Sequence, residues 1–170
     1  MTSDIYVVMG VSGCGKSTVG SLLAQALGVD FLEGDTLHPP ANVQRMSQGF
    51  ALSDADRKGW LSALSERIHT ARQAGKGLVV SCSALKRAYR DQLRSAAPDL
   101  VLVHLDGSEA LFAQRMHLRT GHYMPASLLA SQLATLERPG PDENVRCFDV
   151  SESPDTIVGK LMGHPSVQPR

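Results

Sequence analysis

The chain has 170 residues, 42% of them hydrophobic and 20% charged, and its 17 basic side chains balance its 17 acidic ones. This length and composition predict one ordinary globular domain. A formal net charge of zero provides no overall electrostatic attraction to nucleic acid or to an anionic membrane. No apolar run is long enough to span a membrane. Three cysteines without metal-ligand spacing or a secretion signal, Cys14, Cys82 and Cys147, predict reduced thiols and a cytoplasmic location.

The first predicted elements are a strand, Ile5–Met9, and a helix from Lys16 to about Leu27, and residues 10–17 between them read GVSGCGKS. This is a complete phosphate-binding loop (P-loop), in which glycines let backbone N–H groups converge on a phosphate at a helix N-terminus. In this pattern Lys16 reaches the β- and γ-phosphates, and the Ser17 hydroxyl holds Mg²⁺. The sequence therefore predicts a nucleoside triphosphate site built from Gly10, Val11, Ser12, Gly13, Cys14, Gly15, Lys16, Ser17 and Thr18.

Strand-like and helix-like segments alternate along the rest of the chain. This alternation predicts an α/β fold with a five-stranded, mostly parallel sheet flanked by helices. Ligands of such sheets bind at the carboxyl ends of the strands, so we expect the loops after the other strands to complete the site. The further strands are predicted at 29–33, 77–82, 100–105 and 145–150, and the further helices at 53–74, 85–97, from 108, from about 125 and from 154.

Two acidic residues, Glu33 and Asp35, follow the second predicted strand. We interpret the two side chains as pointing to opposite sides of the chain, which predicts separate tasks. One would position Mg²⁺ through its waters, and the other would accept a proton from an acceptor hydroxyl. The alternative for Asp35 is a cap for the helix entered at Pro39. His38 fits a substrate contact and a polar helix-start residue equally well.

Arg57 lies in the first turn of a predicted helix, where the helix dipole disfavours a cation. An anionic partner is therefore expected, either a substrate carboxylate held by the planar guanidinium or a surface ion pair with Asp54 or Asp56. Lys86 and Arg87 follow a buried strand, and they fit either an anion-binding surface or a solvated helix face.

Arg115 and Arg119 are four residues apart and share one helix face, with Gly121 beyond them as a hinge. They predict a mobile flap whose arginines neutralise the charge that develops during phosphoryl transfer. The alternative is an ordinary basic helix surface. Asp106 also follows a strand, but Gly107 directly after it favours a role in a turn.

Beyond the P-loop, several segments resemble the gluconate kinases, small P-loop kinases related in fold to shikimate kinase. They are EGDTLHP at 33–39, DADR at 54–57, CSALKRAYR at 82–90, HYMP at 122–125 and SQLATLE at 131–137. The resemblance implies a three-layer α/β sandwich with a single P-loop kinase domain at residues 1–165 and a frayed tail at 166–170. Within that domain it implies a helical substrate-binding segment at 35–75 and a mobile lid at 115–126.

The resemblance also implies ATP and Mg²⁺, D-gluconate as the acceptor, 6-phospho-D-gluconate as the product, and a homodimer. Fold analogy alone suggests Arg115 and residues 151–154 for the adenine. A kinase for another hydroxy acid such as shikimate, a nucleoside monophosphate kinase and a nucleotide-dependent switch stay open as alternatives. The expected site comprises catalytic Lys16, Asp35, Arg115 and Arg119, metal-binding Ser17 and Glu33, and substrate-binding Asp35, His38, Arg45, Arg57, Lys86, Arg87 and His122.

Overall fold

A computed structural model describes residues 4–118 and 127–163. Within these residues five parallel strands form one sheet in the order β2-β3-β1-β4-β5. The strands are β1 Ile5–Met9, β2 Asp30–Glu33, β3 Leu78–Ser81, β4 Val101–Asp106 and β5 Arg146–Asp149. The helices are α1 Lys16–Leu27, α2 Pro40–Ser47, α3 Asp54–Gln73, α4 Arg87–Ala96, α5 Glu109–Leu118, α6 Ser127–Thr135 and α7 Pro154–Leu161, with 3₁₀ turns at Gly34–Leu37 and Pro141–Glu143.

The central strand β1 is buried between two helical layers. Its alternating side chains enter different cores: Val8 packs with Leu23 of α1, whereas Val7 packs with Leu64 of α3. Helices α1, α5 and α7 contribute to the first core, and α3 and α4 to the second. The α/β sandwich with a five-stranded parallel sheet is therefore confirmed. No helix within residues 4–118 and 127–163 combines the length and apolarity needed to cross a membrane.

Helix starts lie where the sequence predicts them when the capping residues are close to one another in sequence. Ser53 and Asp56 form the expected capping box of α3, with Asp56 N–H donating to Ser53 Oγ at 3.1 Å and Ser53 N–H donating to Asp56 Oδ2 at 2.9 Å. Helix α4 begins at Arg87 rather than near Leu85. The reason is that Ala84 adopts a left-handed conformation with φ 45°, which keeps residues 82–86 as a loop.

A buried arginine, Arg90 of α4, fixes this loop. Its guanidinium donates to both carboxylate oxygens of Glu143, at 2.8 and 3.0 Å, and to the carbonyls of Ala84 at 2.9 Å and Glu137 at 2.8 Å. The hydrogen bonds from Arg90 lower the pKa of Glu143 to about 2, so this carboxylate stays ionised. Arg90 therefore joins the loop after β3 to the chain that follows α6.

Candidate active site at the carboxyl edge of the sheet

A cleft of about 360 Å³ opens beside the carboxyl ends of β1 and β2. The P-loop forms its floor, and the positive φ angles of Gly13 (85°) and Gly15 (93°) aim the backbone there. A Cβ at Gly13 would lie 2.7 Å from the Phe112 carbonyl oxygen, so this turn requires glycine. The cleft is lined by Ser12, Gly13, Gly15, Lys16, Ser17, Thr18, Glu33, Asp35, Arg115 and Pro154.

Two of the expected nucleotide-binding residues face the core instead of the cleft. Val11 and Cys14 are buried beneath the P-loop, where burial raises the pKa of the Cys14 thiol. Their side chains therefore pack in the core, and only their backbone groups are available to a phosphate. Lys16 lies across the loop, and its Nζ donates to the Val11 carbonyl at 3.0 Å. A phosphate oxygen would replace that carbonyl as the acceptor.

Ser17 and Glu33 meet at the cleft wall. Ser17 Oγ donates to Glu33 Oε2 at 2.5 Å, and Ser81 Oγ donates to Glu33 Oε1 at 2.5 Å. These are hard oxygen ligands of the kind Mg²⁺ prefers. The described residues contain no cluster of three or more His, Cys, Asp or Glu suited to a metal. The donor set therefore fits a Mg²⁺ ion held by one or two protein groups together with phosphate and water oxygens.

Asp35 lines the same cleft as Glu33, so the expectation that the two acids point to opposite sides is wrong. Side chains two residues apart share one face even on an extended chain. The strand ends at Glu33, and residues 34–37 form a 3₁₀ helix that turns Asp35 back toward the P-loop. Helix α2 starts after Pro39 without any side-chain cap, so Asp35 does not cap it. The structure thus leaves the Asp35 carboxylate at the cleft.

A second, narrower pocket adjoins the cleft on the side of α3. Ser12, Lys16 and Asp35 line both cavities and form their common wall. Gln132 of α6 reaches this wall, where its Oε1 accepts the Ser12 N–H at 2.7 Å. The other lining residues are His38, Met46, Leu52, Arg57, Trp60, Ser83, Leu85 and Gln132.

Arg57 lines this second pocket, and its guanidinium is hydrogen-bonded to the neutral hydroxyl of Tyr89. Its Nη1 donates to Tyr89 Oη at 3.1 Å, and its guanidinium carbon lies 5.5 Å from the centre of the Tyr89 ring. The alternative interpretation, a surface ion pair of Arg57 with Asp54 or Asp56, is not found among the described residues. Asp54 instead accepts hydrogen bonds from Tyr89 Oη and Lys86 Nζ, and Asp56 belongs to the α3 capping box. Among residues 4–118 and 127–163, Arg57 therefore makes its side-chain hydrogen bond to a neutral hydroxyl and forms no direct ion pair with a carboxylate.

Three predicted substrate residues lie outside both cavity linings. Arg45 is half exposed and its Nε is 3.6 Å from Asp56 Oδ2, while Lys86 Nζ pairs with Asp54 Oδ1 at 2.9 Å. Arg87 pairs with Asp142 at 2.6 Å, and this contact directs it toward the chain before β5. The structure brings Arg57 and Asp35 to the site, but it does not bring Arg87.

Arg115 lies at the cleft with its guanidinium held by backbone carbonyls. Nη2 donates to Val150 O at 2.7 Å, and Nη1 is 3.5 Å from Cys14 O. It therefore connects the P-loop to the loop between β5 and α7, which fits the adenine side suggested by fold analogy. Arg119 and His122, with residues 119–126 of the expected lid, lie outside the described residues.

Asp106 serves a turn, as expected. Its Oδ1 accepts the Gly107 N–H at 2.8 Å, and its other oxygen pairs with Arg138. It is absent from the cleft lining.

Sequence reasoning missed the side chains that hold the site residues in place. Trp60, Tyr89 and Gln132 belong to no recognised catalytic motif, so a search for such motifs does not select them. The signals that could have found them were modest: Trp60 is the single tryptophan, and Tyr89 and Gln132 lie within the segments at 82–90 and 131–137 that carry the family resemblance.

Comparison with known proteins gives concordant matches. The protein-family model AAA_33, an AAA domain, matches residues 5–139. A gluconokinase of Gluconobacter oxydans is 52% identical over 158 residues, covering 93% of this chain and 89% of the relative. The thermoresistant gluconokinase of Escherichia coli is 41% identical over 159 residues, covering 93% and 91%.

Two solved structures extend these matches to the fold. An unliganded sugar kinase from Janibacter sp. has a TM-score of 0.90 at 41% identity, covering 99% of both chains. A gluconokinase from Sinorhizobium meliloti has a TM-score of 0.84 at 50% identity, covering 95% of this chain and 90% of that one.

Proposed function

The chain belongs to the gluconokinase family, and we propose that it transfers the γ-phosphoryl group of ATP to the terminal hydroxyl of D-gluconate, giving 6-phospho-D-gluconate and ADP. The observation that carries this proposal is the wall of Ser12, Lys16 and Asp35 common to the two cavities. Direct transfer requires the acceptor oxygen beside the γ-phosphate, and such a wall supports that arrangement.

On the phosphate side, the N–H groups of the P-loop and the N-terminus of α1 bind the β- and γ-phosphates. Lys16 exchanges its contact with the Val11 carbonyl for the phosphate oxygens. We propose Ser17 as a direct ligand of Mg²⁺, with Glu33 acting through water. When bound, Mg²⁺ neutralises charge on the β- and γ-phosphate oxygens.

On the acceptor side, the Asp35 carboxylate orients the terminal hydroxyl of gluconate. As the acceptor oxygen bonds to phosphorus, Asp35 takes the hydroxyl proton, and ADP leaves with the electrons of the broken P–O bond. Arg57 binds the gluconate carboxylate through its planar guanidinium. Support for this role comes from its place in the second pocket and from its hydrogen bond to the neutral Tyr89 hydroxyl in place of a direct ion pair with a carboxylate.

The remaining site residues complete the proposal. Arg115 and Arg119 neutralise charge on the transferring phosphoryl group, with Arg115 also beside the adenine. Lys86 and Arg45, which directly follow and precede the pocket-lining residues Leu85 and Met46, are further candidates for the substrate carboxylate, as is His122. Arg87 is the weakest of these candidates because Asp142 already engages it.

A panel of acceptors tests the proposal. The purified protein with ATP and Mg²⁺ would be assayed for ADP release with gluconate, other aldonates, shikimate, AMP and no acceptor. Gluconate is expected to give the highest kcat/KM, with a phosphate monoester on its terminal carbon by ³¹P NMR. Equal ADP release without any acceptor would favour a nucleotide-dependent switch, and preference for shikimate or AMP would replace the assigned substrate.

We further propose one kinase domain over residues 1–165, with the segment 35–75 binding substrate and 115–126 closing as a lid. The family resemblance also supports a homodimer in the cytoplasm. Light scattering would give twice the 18.2 kDa chain mass for a dimer. Removal of Mg²⁺ with a chelator is expected to abolish transfer, and restoring the metal is expected to recover it.

A further inference from the structure

Asp35 has a buried histidine as its neighbour. The His38 side chain is 4% exposed, and its Nε2 lies 4.0 Å from Asp35 Oδ1. Its ring stacks on Trp60, with ring centres 4.1 Å apart and planes inclined by 16°. Trp60 Nε1 also donates to the Gly34 carbonyl at 2.8 Å, one residue before Asp35. One aromatic platform therefore positions both the imidazole and the backbone that carries the carboxylate.

Asn42 of α2 fixes where the His38 proton lies. Its Nδ2 is 2.8 Å from the Asp56 carbonyl oxygen, and a carbonyl only accepts, so this atom is the amide nitrogen. The same nitrogen lies 3.3 Å from His38 Nδ1. Nδ1 must therefore be the acceptor, and the proton of the neutral ring resides on Nε2, the nitrogen that faces Asp35.

His38 is neutral near pH 7. Burial and the charge of Arg57 lower its pKa to about 4, and the opposing effect of Asp35 is smaller than that of burial. A neutral N–H donor orients a carboxylate without cancelling its charge, whereas an imidazolium would pair with it and weaken it as a base.

We propose that His38 is a positioning residue for phosphoryl transfer: held by Asn42 and Trp60, it directs Nε2–H at one oxygen of Asp35 and leaves the other for the acceptor hydroxyl. The inference rests on the proposed function, because it requires Asp35 to be the proton acceptor. The distance of 4.0 Å shortens to a hydrogen bond when the acceptor orients the carboxylate, as catalytic hydrogen bonds tighten on substrate binding.

Two substitutions separate donation from stacking. His38→Phe retains an aromatic ring against Trp60 but removes the donor, whereas His38→Gln retains an N–H donor but removes the ring. We expect His38→Phe to lower kcat about tenfold with little change in KM for ATP, and His38→Gln to recover most of that loss. The opposite order, with Phe active and Gln impaired, is what a purely structural stack predicts, and it would overturn the proposal.

Nitrogen NMR of the imidazole gives a readout independent of activity. In the wild-type protein His38 should show an unprotonated Nδ1 and a protonated Nε2. Asn42→Asp places an acceptor beside Nδ1, so a proton should appear there and kcat should fall. Gln25→Glu makes the same amide-to-acid change at an exposed site on α1 and should alter neither. A wild-type Nδ1–H tautomer would contradict the proposal even if Asn42→Asp failed to fold.

Asp35→Asn distinguishes this inference from the function on which it rests. If Asp35→Asn retains the wild-type kcat, Asp35 is not the proton acceptor and the proposed mechanism fails with the inference. If Asp35→Asn abolishes turnover while His38→Phe matches wild type, the mechanism stands and only the role of His38 is rejected. Loss with both variants, together with recovery in His38→Gln, supports both.

Discussion

The two sides of the candidate site are built in different ways. The phosphate side consists mainly of backbone groups from one continuous segment, residues 10–18, whose shape is set by its own glycines. The acceptor side consists of side chains from separate elements, such as Asp35 from the 3₁₀ turn and Arg57 from α3. Each of these side chains is held by a neighbouring residue with no proposed role in the reaction: Trp60 beside Asp35, and Tyr89 beside Arg57. A backbone site tolerates little local change, whereas a side-chain site should respond in graded steps.

The largest effect is expected on the phosphate side. Lys16→Met removes the ammonium group that would meet the phosphates, and we expect kcat to fall by about 10³-fold or more. The Lys16 ammonium donates to the Val11 carbonyl and lies 3.9 Å from Cys14 Sγ, and both of these contacts are within the P-loop itself. The melting temperature should therefore remain near that of wild type. A Lys16→Met kcat within tenfold of wild type would contradict the expectation that the phosphate side is less tolerant of change than the acceptor side.

The next effect concerns the proton acceptor. Asp35→Asn is expected to lower kcat by about 10²–10⁴-fold, because a positioned general base is lost while the P-loop is untouched. KM for ATP should change little. Asp30→Asn, at an exposed position of the adjoining strand, is the matched control and should behave as wild type. Steady-state kinetics with ATP and gluconate varied separately would check both values.

A smaller, graded effect is expected at the carboxylate end of the pocket. Arg57→Ala should raise KM for gluconate by some tens of fold, as a charged hydrogen bond contributes about 1.5–3 kcal/mol. Tyr89→Phe removes the neutral partner of Arg57 together with the hydrogen bond to Asp54, so we expect a rise of about two- to tenfold. Arg67→Ala, exposed on the same helix, controls for loss of a positive charge. Equal KM values for all three variants would remove Arg57 from the acceptor site.

The smallest effect is on stability and pH. The pKa of His38 is about 4 in the folded protein against 6.5 for an ordinary histidine, so the unfolded chain binds more protons between these values. Stability should therefore fall as pH decreases from about 6.5 toward 4, by at most about 3 kcal/mol from this residue. Urea titrations of wild type and His38→Gln would check this, with exposed His69→Gln as the control. Parallel stability profiles for wild type and His38→Gln would show that burial of His38 has no such cost.

The sequence predicted those features that depend on nearby residues. The P-loop, the five strands and the α3 capping box are set by local conformation and short-range periodicity, and the structure confirms them. The turn after Glu33 was missed because the 3₁₀ helix has only four residues. A segment this short has no hydrophobic periodicity by which its sequence could be distinguished from that of an extended chain. The partner of Arg57 was missed because Tyr89 lies 32 residues away and meets it only after α3 and α4 pack together.

Arg90 limits how this scaffold can be made more thermostable by redesign. Buried ion pairs often tolerate replacement by apolar side chains of similar volume. Here the same guanidinium also serves the carbonyls of Ala84 and Glu137, and an apolar substitute would deprive both of their donor at about 1–3 kcal/mol each. Ala84 stands between Ser83 and Leu85, which line the acceptor pocket. We therefore expect variants with an apolar residue in place of Arg90 to lose activity, although Arg90 itself does not line the acceptor pocket.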